Sequence, residues 1–107
     1  MANPWSGEVA LVLNGESHVL KLTLGALAEL EAALEADSLV ALIERFEGGR
    51  YATRDVLALL LAGLRGGGWA GSSDDLAAAE IAGGPVEAAK VAAQLLARAF
   101  TVPNAAI

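Results

Sequence analysis

The chain has 107 residues but no cysteine, a single histidine and only 5 % aromatic residues. Without cysteine there is no disulfide framework, thiol nucleophile or thiolate metal site. One histidine, His18, cannot form a histidine cluster or a H-E-x-x-H zinc helix. Basic residues are few as well. Seven face thirteen acidic ones, and the net charge of −6 has the wrong sign for a nucleic-acid partner. No apolar run is long enough for a membrane span, since the densest, Val56 to Leu64, is about half the length required. The opening Met1-Ala2-Asn3-Pro4-Trp5-Ser6-Gly7 lacks the basic start and apolar run of a signal peptide, so a cytoplasmic protein is expected.

What the chain does have is alanine and leucine, 24 and 18 residues respectively, within an apolar fraction of 55 %. Such a composition excludes a disordered chain, and the length allows one small domain spanning 1–107. With so few aromatics, the core has to be built from Leu, Val, Ile and Ala.

Residues 7–22 read as a β-hairpin. Val9 to Leu13 runs into Asn14-Gly15, the pair that best tolerates the two positive φ angles of a type I′ turn, and Ser17 to Leu22 returns. A two-residue loop sets Leu13 opposite Glu16, Leu11 opposite His18 and Val9 opposite Leu20. Val9, Leu11, Leu13, Leu20 and Leu22 are then assigned to the core. Val12 and Val19 lie on a second face, which one layer of helices leaves open together with at least one strand edge.

Residues 24–100 read as about five helices, giving an α+β fold in which the hairpin packs on a helical bundle. Thr23 is placed to cap a helix from Leu24 to about Ala36, and Ser38 a second helix through Phe46. Thr53 is placed to cap a third, Arg54 to Leu64, which is apolar nearly all round and should be central. A glycine-rich joint, 66–71, precedes a short helix starting at Ser73 and running toward Ile81. The last helix runs from Pro85 to about Phe100, with Val86, Val91, Leu95 and Phe100 available for burial. Residues 101–107 are expected to form a flexible tail.

Candidate chemistry is sparse. His18 faces Leu11 with no Ser, Cys or Asp placed to complete a relay, so a structural or surface role is favoured. Glu31 and Glu35 share a helix face, as a cation site or a glycosidase pair would require, but one solvated helix provides no cleft. The tract Gly66-Gly67-Gly68 lacks the spacing and lysine of a phosphate loop. The residues therefore indicate no catalytic, cofactor-binding or metal-binding group.

Two features point instead toward a protein partner. Trp69 stands among glycines and either folds back onto the core or anchors a partner. Charge is also segregated: residues 45–65 hold Arg45, Arg50, Arg54 and Arg65 against Glu47 and Asp55, while the preceding 44 residues are acidic. The candidate partner-binding residues are Val12, Val19, Trp69, Arg50 and Arg54. Self-association through the hairpin is a further expectation.

The segments Gly7 to Gly15 and Leu22 to Glu31, followed by Arg54-Asp55-Val56-Leu57 and Gly63-Leu64-Arg65-Gly66-Gly67, resemble a tail protein family of gene transfer agents and related tailed phages. The resemblance runs from about Gly7 to Phe100. It implies a tail assembly chaperone that binds the tape-measure protein and assists tail tube proteins to polymerise, with no catalytic residue to carry over. Because members are also described as tail tube proteins, the alternative is a structural tube component of the particle.

Overall fold

The computed structural model describes residues 7–34 and 39–100. Two strands, β1 (Val9–Leu13) and β2 (Glu16–Leu20), are followed by α1 (Leu24–Leu34), α2 (Leu39–Glu47), α3 (Thr53–Gly66), α4 (Ser73–Ala78) and α5 (Gly84–Phe100). The fold is α+β, as expected. The strands pair antiparallel with Val9 opposite Leu20, Leu11 opposite His18 and Leu13 opposite Glu16. Asn14 and Gly15 adopt φ of 50° and 81°, the two positive angles that the turn demands. Val9, Leu11, Leu13 and Leu20 are buried, whereas Leu22 lies beyond the strand and is half-buried.

Helix α3 is the hub, packed against α1, α4, α5 and β2. Its Val56, Leu59, Leu60 and Leu64 meet Val91, Ala92, Leu95 and Leu96 of α5 in one core with the hairpin leucines. The buried positions of α5 recur at helical spacing, Ala88, Val91, Ala92, Leu95 and Leu96. Val86, read from the sequence as available for burial, falls outside that stripe and is 81 % exposed. Leu24 is likewise exposed at the first turn of α1, while Leu30 is buried.

The helix ends show which residues close them. Thr23 caps α1 as expected, its Oγ1 accepting the Ala26 amide at 3.0 Å. Thr53 does not cap α3. The helix begins at Thr53 itself, with Ala52 extended at the N-cap and its amide donating to the Asp55 carboxylate at 2.8 Å. Helix α4 starts at Ser73 as expected, and its cap is Ser72. Its Oγ accepts the Asp75 amide at 3.2 Å, and Asp75 in turn accepts the Ser72 amide at 2.9 Å. Hydrogen bonding to the carboxyl from the Ser72 amide first, and from the Ser72 side chain second, holds the exposed Asp75 below its ordinary pKa. Ser72→Ala should cost about 1 kcal/mol, read as a fall of a few degrees in the thermal midpoint.

Helix α4 stops at Ala78 instead of reaching Ile81, because the chain turns there to cover β1. The Asn14 amide donates to the Glu80 carbonyl at 2.8 Å, and the Ala82 amide donates to the Val12 carbonyl at 3.2 Å. Asn14 Oδ1 also accepts the Glu80 amide at 2.9 Å. The edge of β2 is held against α3, where the Lys21 amide donates to the Gly63 carbonyl at 2.9 Å. The edge of β1 is thus engaged in part by the chain itself, while the bond to α3 comes from Lys21, just beyond β2. The physical reason is local: extended residues after α4 and side-chain-free residues at the end of α3 reach the strand backbone directly. The proposed Ser38 cap, Glu35 and the 101–107 tail lie outside the described residues.

Candidate functional site

The described surface carries an apolar groove of about 750 Å³ between α3, α4 and α5. One wall is α3, with Val56, Leu57 and Leu60; Tyr51 and Thr53 stand at its entrance. The floor and far wall come from Leu76 and Ala79 around α4, and from Ala88, Ala89 and Ala93 of α5. Val86, which the core leaves out, forms part of the rim. Tyr51 is fixed by its ring stacked on Phe46, with centroids 4.5 Å apart and planes 8° from parallel. The lining is mainly apolar, with one charged side chain, Lys90, among the lining residues.

The entrance is positioned by an ion pair that the sequence does not single out. Arg45 of α2 grips Asp55 of α3 through two bonds, Nε to Oδ2 at 3.2 Å and Nη2 to Oδ1 at 3.1 Å. Asp55 is buried and Arg45 partly so. Burial pushes the Asp55 carboxyl up, but the Ala52 amide, the Arg45 guanidinium and the nearby positive charge of Arg54 together outweigh it and hold it below its ordinary pKa. One carboxylate therefore closes the start of α3 and ties α2 to it. Sequence alone offered a signal here, an aspartate at the third position of the helix, but no means of knowing which arginine would reach it.

The five candidate partner residues do not converge. Val12 and Val19 share the outer face of the hairpin and are half-buried there. Arg50 and Arg54 are exposed at the α2–α3 corner, near the groove entrance in sequence, while Arg45 and Arg65 have acidic partners. Trp69 is half-buried and packs on the core, its ring occupying the space that a side chain at residue 71 would need. None of the five lines the groove.

His18 is half-buried opposite Leu11. Glu31 is exposed, and its proposed companion Glu35 lies outside the described residues. Among the described residues, no group of three or more acidic or histidine side chains is arranged to hold a metal ion. Nor is any helix among them long and apolar enough to cross a membrane.

Residues 6–102 match a protein family described as "Phage tail tube protein, GTA-gp10". No curated protein and no solved structure matches the chain.

Proposed function

This chain belongs to the phage tail tube protein GTA-gp10 family, and from that premise we propose that it is a structural component of the tail tube in a gene-transfer-agent-like particle. The observation that carries this reading is the extent of the match, which takes in the hairpin and all five helices. Family membership implies contact with other tail proteins. Assembly would take place in the cytoplasm of a bacterial host, and the particle would retain the chain.

A second reading is favoured by the open apolar groove. As a tail assembly chaperone, the chain would bind the tape-measure protein and tail tube protein before assembly, shielding apolar helical surface, and would then depart. Quantitative mass spectrometry of gradient-purified particles separates the two. A structural tube component is expected at a copy number comparable to the other tube proteins. Absence from finished particles, with recovery alongside the tape-measure protein from lysates, would replace the first reading by the second.

A further inference from the structure

We propose that Asn14 is a modification site: its carboxamide closes onto the Gly15 nitrogen with loss of ammonia, and the contact of Asn14 with Glu80 sets the rate. This chemistry does not depend on whether the chain remains in the particle.

The reaction needs a carboxamide next to an unhindered main-chain N–H, and the sequence offers that at one asparagine. Of the three in the chain, Asn3 precedes Pro4, whose nitrogen carries no hydrogen, and Asn104 precedes Ala105, whose side chain crowds the nitrogen. Asn14 precedes Gly15. Both residues are exposed, and a Cβ built on Gly15 would meet nothing within 4 Å, so a solvent base reaches the nitrogen.

Water is the sole co-reactant. A solvent base takes the Gly15 amide proton, the nitrogen bonds to Asn14 Cγ, and the Cγ–Nδ2 bond breaks as ammonia departs. Water then opens the cyclic imide, with no change of oxidation state. Opening at Cγ gives aspartate and an unchanged main chain. Opening at the main-chain carbonyl gives isoaspartate, whose main chain runs through Cβ and Cγ and is longer by a carbon.

What restrains the step is a clasp between Asn14 and Glu80. Asn14 Oδ1 accepts the Glu80 amide at 2.9 Å, and the Asn14 amide donates to the Glu80 carbonyl at 2.8 Å. To bring Cγ onto the Gly15 nitrogen the carboxamide has to turn, and turning gives up the Oδ1 bond. The main chain is held as well, since the φ angles of 50° and 81° belong to the turn that joins β1 to β2. Ring closure therefore proceeds from the opened clasp, and its rate follows that local opening. The isoaspartyl product is structural in its effect because loop length sets register here. An extra main-chain carbon does not fit the two-residue turn that keeps Leu13 opposite Glu16, and the bond from the Ala82 amide to the Val12 carbonyl is lost with that pairing. Isoaspartate at position 14 thus releases residues 80–82 from β1.

The test incubates the full chain in mildly alkaline buffer and follows Asn14 by peptide mass spectrometry, with isoaspartate methyltransferase to count the isoaspartyl fraction. The folded chain should lose ammonia at Asn14 about tenfold or more slowly than the urea-unfolded chain. Glu80→Pro deletes the donor to Oδ1, and Ala79 before it is already extended at ψ 150°, as a residue preceding proline requires. That variant should bring the folded rate most of the way to the unfolded one. Isoaspartyl chains, separated by anion exchange, should lose amide-exchange protection at Ala82. An Asn14 that stays intact in the folded chain throughout a long incubation overturns the proposal. So do equal rates in folded and unfolded chains, a folded Glu80→Pro variant that reacts no faster, or undiminished protection at Ala82. If circular dichroism shows Glu80→Pro to be unfolded, the unaltered chain decides. Low urea should then raise exchange at the Glu80 amide and deamidation of Asn14 by the same factor, and a rise in one without the other overturns the proposal.

Discussion

Gly67→Ala is expected to be among the most damaging single-methyl additions in this protein, costing about 3 kcal/mol or more of stability. The added Cβ would stand 1.8 Å from the Val19 carbonyl oxygen. At Gly66 the obstacle is the Lys21 carbonyl oxygen, at 1.9 Å. Both obstacles are backbone, so no side-chain rotation relieves them, and β2 would have to move off the end of α3. That movement would break the bond from the Lys21 amide to the Gly63 carbonyl and uncover Leu20, which is fully buried. The measurement is urea unfolding of each variant, with amide exchange at Lys21 as the local reporter. Gly25→Ala is the matched control. Its Cβ would meet only Thr23 Oγ1, at 3.9 Å, and the gain in helix propensity should stabilise by about 0.5 kcal/mol. Equal effects at residues 25 and 67 would rule out close backbone approach as the reason for glycine at the end of α3.

The second large effect is expected at the α2–α3 ion pair. Arg45→Leu leaves the buried Asp55 carboxylate with the Ala52 amide but without its guanidinium, and should cost about 3 kcal/mol near neutral pH. In the unaltered protein the folded state holds the Asp55 carboxyl below its ordinary pKa. Its contribution is therefore complete above the unfolded pKa and is lost as pH falls through the lower folded value. Removing Arg45 leaves burial less opposed, so the folded pKa rises. The stability gap between Arg45→Leu and the unaltered chain should consequently narrow as the solution is acidified below about pH 5. Guanidinium is unsuitable as denaturant here because it screens the pair, so urea titrations at several pH values are the check. A gap that stays constant across that range would show that Arg45 acts through packing of its side-chain stem and not through the Asp55 charge. The double variant Arg45→Leu/Asp55→Leu should recover much of the loss, since an apolar pair carries no desolvation cost.

Family membership places the chain among tail proteins, and the match covers every described element. In the folded chain Glu80 and Ala82 bond to β1, and the end of α3 lies against β2.

What the sequence determined by itself is local. Asn14-Gly15 dictates the turn through its two positive φ angles, and the turn length dictates the strand register. Thr23 marks a helix start because its hydroxyl meets an amide three residues on, and the unbroken apolar content of α3 identifies it as the central helix. These are interactions over a few residues, legible from spacing alone. The tertiary structure decided matters that depend on segments far apart in the chain. The glycines at 66 and 67 look like a simple joint until β2 is laid against them, and Asp55 looks like a surface acid until α2 brings Arg45 to it. Val86 looks like core until the packing of α3 and α4 on α5 sets which stripe of that helix turns inward. The groove exists only through that packing: its lining comes from three separated stretches, none of which is distinctive alone, because apolarity and small size acquire a binding role only where neighbouring elements leave them uncovered.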